Sequence, residues 1–219
     1  MKIVKNRDLI YDVKKYDVVL VGVNIMNVKG NGFQNKVHRN FPDVYVAHRD
    51  TKYADKGKLG TVIVVPGEPI FCICYIFKGR YRPDMIPDAV EYDALESCLK
   101  LVAKRFGDKR IASTIMGVSP YEGGGDIRKI LPMFMTIFKD ADITLYDYEQ
   151  KDWRYEENDK LMEIQRQKKD GEITTEEYYD KKKRFLWEKR FGIYKPMPDG
   201  KTYKEIEELI KIDREKDLA

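Results

Sequence analysis

Five short apolar runs, each of strand length, alternate with stretches that can hold a helix, and this alternation limits the chain's folds more than any other feature. The runs are DVVLVGV (17–23), GTVIVV (60–65), FCICYIF (71–77), IASTIMG (111–117) and ADITLYDY (141–148). Between them, Tyr92 to Phe106 places Leu95, Cys98, Leu99, Leu101 and Val102 on or near one helical face. Asp126 to Phe138 has the same helical period, with Asp126 placed to cap it. A shorter amphipathic helix is expected before Phe41-Pro42. Strands alternating with helices predict an α/β layer structure around a parallel or mixed sheet.

Open α/β sheets bind ligands beyond the carboxyl ends of their strands, where loops and helix N-termini supply backbone N–H groups. Two loops meet that need. Asn24 to Gly32 follows the DVVLVGV run, and Gly117 to Asp126 (GVSPYEGGGD) follows IASTIM and leads into a helix. Glycines let the backbone approach an anion closely. Neither loop matches a phosphate-binding P-loop or a dinucleotide fingerprint.

Charge and composition narrow the partners. Net charge is +4 over 219 residues; positions 1–148 carry 23 basic against 18 acidic residues, and 149–219 carry 18 against 19. A modest positive field over the first part suits an anionic small molecule. No basic run with interleaved aromatics occurs there, which argues against nucleic acid other than as a modified substrate. Cys72, Cys74 and Cys98 read as small buried hydrophobes, since no cysteine–histidine pair has ligand spacing. Neither a metal nor another cofactor is expected. The N-terminus lacks an apolar signal core and no apolar run reaches membrane-spanning length, so a cytoplasmic protein is expected.

Beyond residue 149 the chain becomes charge-dense helix. Thr174-Thr175-Glu176-Glu177 forms a capping box after the Asp170-Gly171 turn, and Thr202 to Glu205 forms another. The expected organisation is a first domain over 1–148 and a helical extension over 149–219. Residues 159–187 resemble the short helical-hairpin module named SHOCT, which implies self-association. A hairpin with so few apolar positions must bury them against the first domain or a second copy; the resemblance favours a homo-oligomer.

The segments Arg7-Asp8-Leu9-Ile10, Asn24 to Pro42, Lys58 to Val62, Tyr92 to Leu95 and Gly123-Gly124-Gly125-Asp126, taken in this order over the first 148 residues, resemble the macro domain, an ADP-ribose-binding three-layer α/β/α sandwich with a mixed central sheet. Arg7-Asp8-Leu9-Ile10 is similar to its Gly-Asp-Leu/Ile opening, and Asn24 to Pro42 to its asparagine and Gly-x-Gly run ending in Phe/Tyr-Pro. Lys58 to Val62 resembles its Leu-Gly-x-Val strand start, Tyr92 to Leu95 its Tyr-x-x-Leu helix start, and Gly123-Gly124-Gly125-Asp126 its late Gly-Gly-Asp loop. The resemblance implies that Asp8, with Leu9 beside it, receives the adenine amino group and that Asn24 holds the distal ribose. Gly30, Asn31 and Gly32 admit the ribose and diphosphate, while Ser119, Gly123, Gly124 and Gly125 close over the diphosphate. Phe33 and Tyr121 would wall the distal ribose. The sequence departs from the pattern at Lys29, at Phe33-Gln34 in place of Ile-Ala, and in a late loop about two residues longer than usual.

One branch of that family, similar to terminal ADP-ribose protein glycohydrolase, uses a lysine and the late-loop aspartate. CYIFKGR and GGGD carry that likeness, which implies catalytic roles for Lys78 and Asp126. The resemblance thus implies a hydrolase acting on an ADP-ribosyl linkage. Two alternatives stay open: a phosphatase acting on ADP-ribose 1″-phosphate, whose usual histidine before the asparagine is missing from Val18-Val19-Leu20-Val21, and a non-catalytic reader.

Overall fold

The computed structural model describes residues 1–28, 30, 32–79, 90–118, 124–147 and 153–216. The chain divides into two compact units, Met1–Asp152 and Trp153–Ala219.

In the first unit, β1 (Lys2–Lys5), β2 (Val18–Asn24), β3 (Val62–Val65), β4 (Ile70–Phe77), β5 (Ile111–Thr114) and β6 (Ile143–Asp147) form one six-stranded sheet in the order β1-β6-β5-β2-β4-β3. All neighbours are parallel except β3, which runs against β4. β2 and β4 lie inside the sheet and are buried on both faces, which is why their sequences are near-continuous apolar runs. Helices α3 (Tyr92–Phe106) and α4 (Ile127–Ile137) cover the face carrying Val18, Leu20, Cys72, Cys74 and Ile76. Helices α1 (Gly32–Asn40) and α2 (Pro42–Arg49) pack on the other face with the short turn Leu9–Tyr11. The result is a three-layer sandwich on a mixed sheet, as expected.

Three details differ from expectation. Among the described residues six strands are present, one more than the five runs, because KIVK pairs with β6 at the sheet edge although most of its residues are exposed. β5 ends at Thr114, not Gly117: Gly117 adopts φ +87°, a left-handed conformation that no strand continues. Helix α2 is additional, opened by Pro42, whose fixed φ and missing N–H suit a first helical turn. All three cysteines are free and buried. Burial pushes the Cys72 thiol up to about 12, so it is an inert core residue.

The second unit contains α5 (Trp153–Lys169), α6 (Thr175–Phe191) and α7 (Tyr203–Lys216). Gly171, at φ +73°, makes the turn between α5 and α6. Thr174 and Glu177 form the reciprocal capping box of α6. Thr202 and Glu205 exchange the same bonds before α7. Trp187 of α6 is buried with Ile206 and Ile210 of α7. The apolar face of α6 therefore finds a partner within its own unit, a solution beyond the two expected from the hairpin alone. Among the described residues, no helix is long and apolar enough to cross a membrane.

Candidate functional site

The described site residues lie on the segments that leave the carboxyl ends of the parallel strands β1, β2, β4 and β5. Asp8, after β1, is 5 % exposed. One of its oxygens, Oδ1, accepts the Ile10 N–H at 3.0 Å and caps the Leu9–Tyr11 turn. The other, Oδ2, receives Lys36 Nζ at 2.5 Å, tying this loop to α1. Each carboxylate oxygen retains a second lone pair for an incoming donor. Leu9 is fully buried behind it.

A register shift against β4 between Val23 and Asn24 closes β2 and re-aims the chain at the sheet's edge. The Asn24 amide then spans a tight turn. Its Nδ2 donates to Val28 O at 3.0 Å, and its Oδ1 accepts the Val28 N–H at 3.3 Å. Gln34 Nε2 donates to the same carbonyl at 3.3 Å. A Cβ on Gly30 would lie 2.2 Å from Gln34 Oε1, so that approach leaves no room for a larger residue unless Gln34 moves. The unexpected Gln34 is thus what presses on Gly30. Gly32 opens α1 at φ +60° and is buried. Phe33 is 2 % exposed and packs inside the fold. Asn31 lies outside the described residues.

The late loop is held differently. The Gly125 N–H donates to Gly117 O at 2.8 Å, closing the base of the loop on itself. A Cβ on Gly125 would lie 2.6 Å from Val90 Cγ1 and 3.0 Å from Gly117 O. Gly124 takes φ +64°. Ser119, Tyr121 and Gly123 lie outside the described residues. Asp126 caps α4, its Oδ1 accepting the Arg128 N–H at 2.9 Å. The Arg128 guanidinium grips both carboxylate oxygens and holds the Asp126 carboxyl below the usual range, so it is ionised at neutral pH.

Lys78, just past β4, is 60 % exposed in its side chain and ion-paired with Glu91. Asp126 donates its backbone N–H to the hydroxyl of Tyr92 at 2.9 Å. Neighbouring residues at the start of α3 therefore hold the two expected catalytic positions, although Lys78 and Asp126 are not each other's partners. Lys78 does not sit in the desolvated setting expected of an amine nucleophile.

Several polar residues at this end of the sheet escape a reading of the sequence. Asp12, 3 % exposed, accepts from Arg7, from Lys15 at 2.7 Å and from the Tyr146 hydroxyl at 2.9 Å. The Arg7 guanidinium holds its carboxyl well below the ordinary range. This cluster braces the segment following Asp8. Behind the β2 loop, fully buried His48 donates from Nε2 to Asn24 O at 3.0 Å, leaving Nδ1 without a hydrogen-bond partner among the described residues. Burial pushes the His48 pKa down, with the Lys58 charge adding to it, so the ring is neutral. Lys58, 9 % exposed, donates to Asn27 Oδ1 at 2.5 Å and Thr51 Oγ1 at 3.1 Å. Being one of two histidines was the only signal for His48, and KGK looks like an ordinary solvated stretch. Among the described residues, no group of three His, Cys, Asp or Glu side chains could hold a metal ion.

No protein-family model and no curated protein matches the chain. Solved structures do. A Bacteroides thetaiotaomicron protein of unknown function is 21 % identical, with TM-score 0.55, over 67 % of this chain and 98 % of its own. The macrodomain of Thermus aquaticus DarG is 18 % identical, with TM-score 0.52, over 68 % and 98 %. Thermosipho africanus DarTG, solved in complex with ADP-ribose, is 20 % identical, with TM-score 0.54, over 69 % of this chain and 43 % of its own. This chain has the macro-domain fold.

Proposed function

We propose that the cleft binds ADP-ribose and that the protein hydrolyses an ADP-ribosyl linkage. The observation that carries the binding is that Asp8, Asn24 to Val28 and Gly124 to Asp126 all follow the carboxyl ends of parallel strands in one sheet. The fold shared with DarTG, solved with ADP-ribose, supports it. Asp8 offers lone pairs to the adenine amino group, the β2 loop takes the distal ribose, and the backbone of both glycine loops takes the diphosphate.

For hydrolysis, Lys78 and Asp126 are the proposed catalytic pair, held by Glu91 and Tyr92 at the start of α3. Lys78, as the neutral amine, attacks the anomeric carbon of the distal ribose; the new C–N bond replaces the bond to the leaving group, which takes up the proton that the nitrogen sheds. Asp126, held ionised by Arg128, then accepts a proton from the water that attacks the same carbon, and the C–N bond breaks to return Lys78 as the amine. The exposure of Lys78 favours a second reading, a cleft that binds ADP-ribose without turnover.

Incubation with ADP-ribosylated protein, ADP-ribosylated nucleic acid and ADP-ribose 1″-phosphate, followed by chromatography, separates these readings. Release from one of the first two that Lys78→Ala and Asp126→Ala abolish supports the hydrolase. Phosphate release alone makes the protein a phosphatase. Tight ADP-ribose binding with no turnover makes it a reader, and absence of ADP-ribose binding by calorimetry defeats the whole assignment.

For the second unit we propose a SHOCT-like role in self-association through α5 and α6, with the cytoplasm as the compartment, in keeping with three free thiols. Ile164 and Phe185 are only half-buried between these helices, and Met162 is 64 % exposed, so apolar surface remains for a second copy. A monomer mass for the full chain by light scattering would overturn this.

A further inference from the structure

We infer that Lys58 is a positioning residue for the loop after β2, holding Asn24 in place by way of Asn27 without touching the ligand; this rests on the proposal that the cleft takes ADP-ribose. Lys58 is 9 % exposed, and among the described residues its ammonium makes no ion pair: its hydrogen-bond partners are the neutral oxygens of Asn27 and Thr51. Its charge also lies 4.9 Å from the centre of the Tyr75 ring. Burying an ammonium on neutral oxygens is unfavourable, and burial lowers its pKa, with the more distant Asp55 carboxylate opposing the shift only in part. A methionine would fill the same stem volume without that penalty, so the charge needs a use.

Its use is geometric. Asn27 sits at φ +53°, a left-handed conformation uncommon outside glycine. Its side chain compensates for this by linking two chain segments. Nδ2 donates to Thr51 O and to Arg49 O at 3.2 Å, while Oδ1 accepts from Lys58 and from the Thr51 hydroxyl. The turn so anchored runs from Asn24 to Val28 and is closed at its base by the Asn24 amide. The Ala54 N–H bonds Ile25 O at 2.9 Å, fastening the same turn to the segment that leads to Lys58. Lys58 is therefore the far end of a strut whose near end is the residue proposed to meet the distal ribose. Asp8, which would meet adenine, lies on another loop and is fixed by Ile10 and Lys36, so Lys58 should govern one end of the ligand only.

Calorimetric titration of the full chain with ADP-ribose and with AMP tests this, using the wild type, Lys58→Met, Asn27→Gly and the double variant. ADP-ribose affinity is expected to fall about tenfold in each single variant while AMP affinity changes by less than about twofold. The double variant should be no weaker than the worse single one, because both act through the same strut. A residue of merely structural importance would weaken both ligands together. Unchanged ADP-ribose affinity in Lys58→Met, equal losses for both ligands, or additive losses in the double variant would overturn the inference. If Lys58→Met does not fold, Asn27→Gly carries the test alone, and an unselective loss there is a refutation. A wild type that fails to bind ADP-ribose refutes the functional proposal instead.

Discussion

The loop after β2 and the loop after β5 leave the same edge of the sheet, and both are rich in glycine, yet their described residues are held by different means. Side chains staple the first: Asn24, Gln34, Asn27 and Lys58 supply the amide and ammonium groups that fix it. Close packing holds the base of the second: the Gly125 N–H bonds Gly117 O, and a Cβ on Gly125 would meet the Val90 and Ile130 side chains and that same carbonyl. A stapled segment can adjust by rotating one long polar side chain, whereas Gly125 is closed in by short branched core side chains and a carbonyl that have little room to move. The two halves of the proposed site should therefore tolerate change very differently.

The sharpest way to break this contrast is to add one methyl group to each loop. Gly125→Ala places a carbon 2.6 Å from Val90 and 3.0 Å from a carbonyl oxygen. The expected cost is about 1–3 kcal/mol of stability in a urea titration, with loss of ADP-ribose binding. A Gly125→Ala protein as stable as wild type would remove the basis of the comparison. Gly30→Ala meets only the far end of the Gln34 side chain, at 2.2 Å, so it should cost less, below about 1 kcal/mol. Adding Gln34→Ala should recover part of that stability, since it removes the clashing atom. No recovery in the double variant would show that the first loop, too, is limited by close packing.

The smallest expected effect is a pH dependence that belongs to the stapled side alone. His48 has its pKa pushed below the ordinary 6.5 by burial, so the unfolded chain binds this proton more readily than the folded one. Its contribution to stability is present above pH 6.5 and is lost as the pH falls from there towards the lowered folded value. Wild type should thus lose more Tm between pH 7 and the acid side than His48→Gln, which cannot titrate. Equal slopes in the two proteins would place the acid sensitivity elsewhere.

Much of this architecture is legible without coordinates, and what is legible is local. The apolar runs of β2 and β4, the helical period of α3, the Asp126 cap and the Thr174–Glu177 and Thr202–Glu205 boxes all join residues within a few positions of one another. Such signals survive in a bare sequence because backbone geometry alone brings those residues together. Only the tertiary structure could decide the rest. KIVK is too short and too exposed to announce a strand until β6 pairs with it. Lys36 and Lys58 look like any solvated lysine until folding carries them to Asp8, 28 positions away, and to Asn27, 31 positions away. Asp12 meets Tyr146 across 134 positions. A buried charge is affordable only where distant chain supplies its partners, and no local pattern records who those partners are.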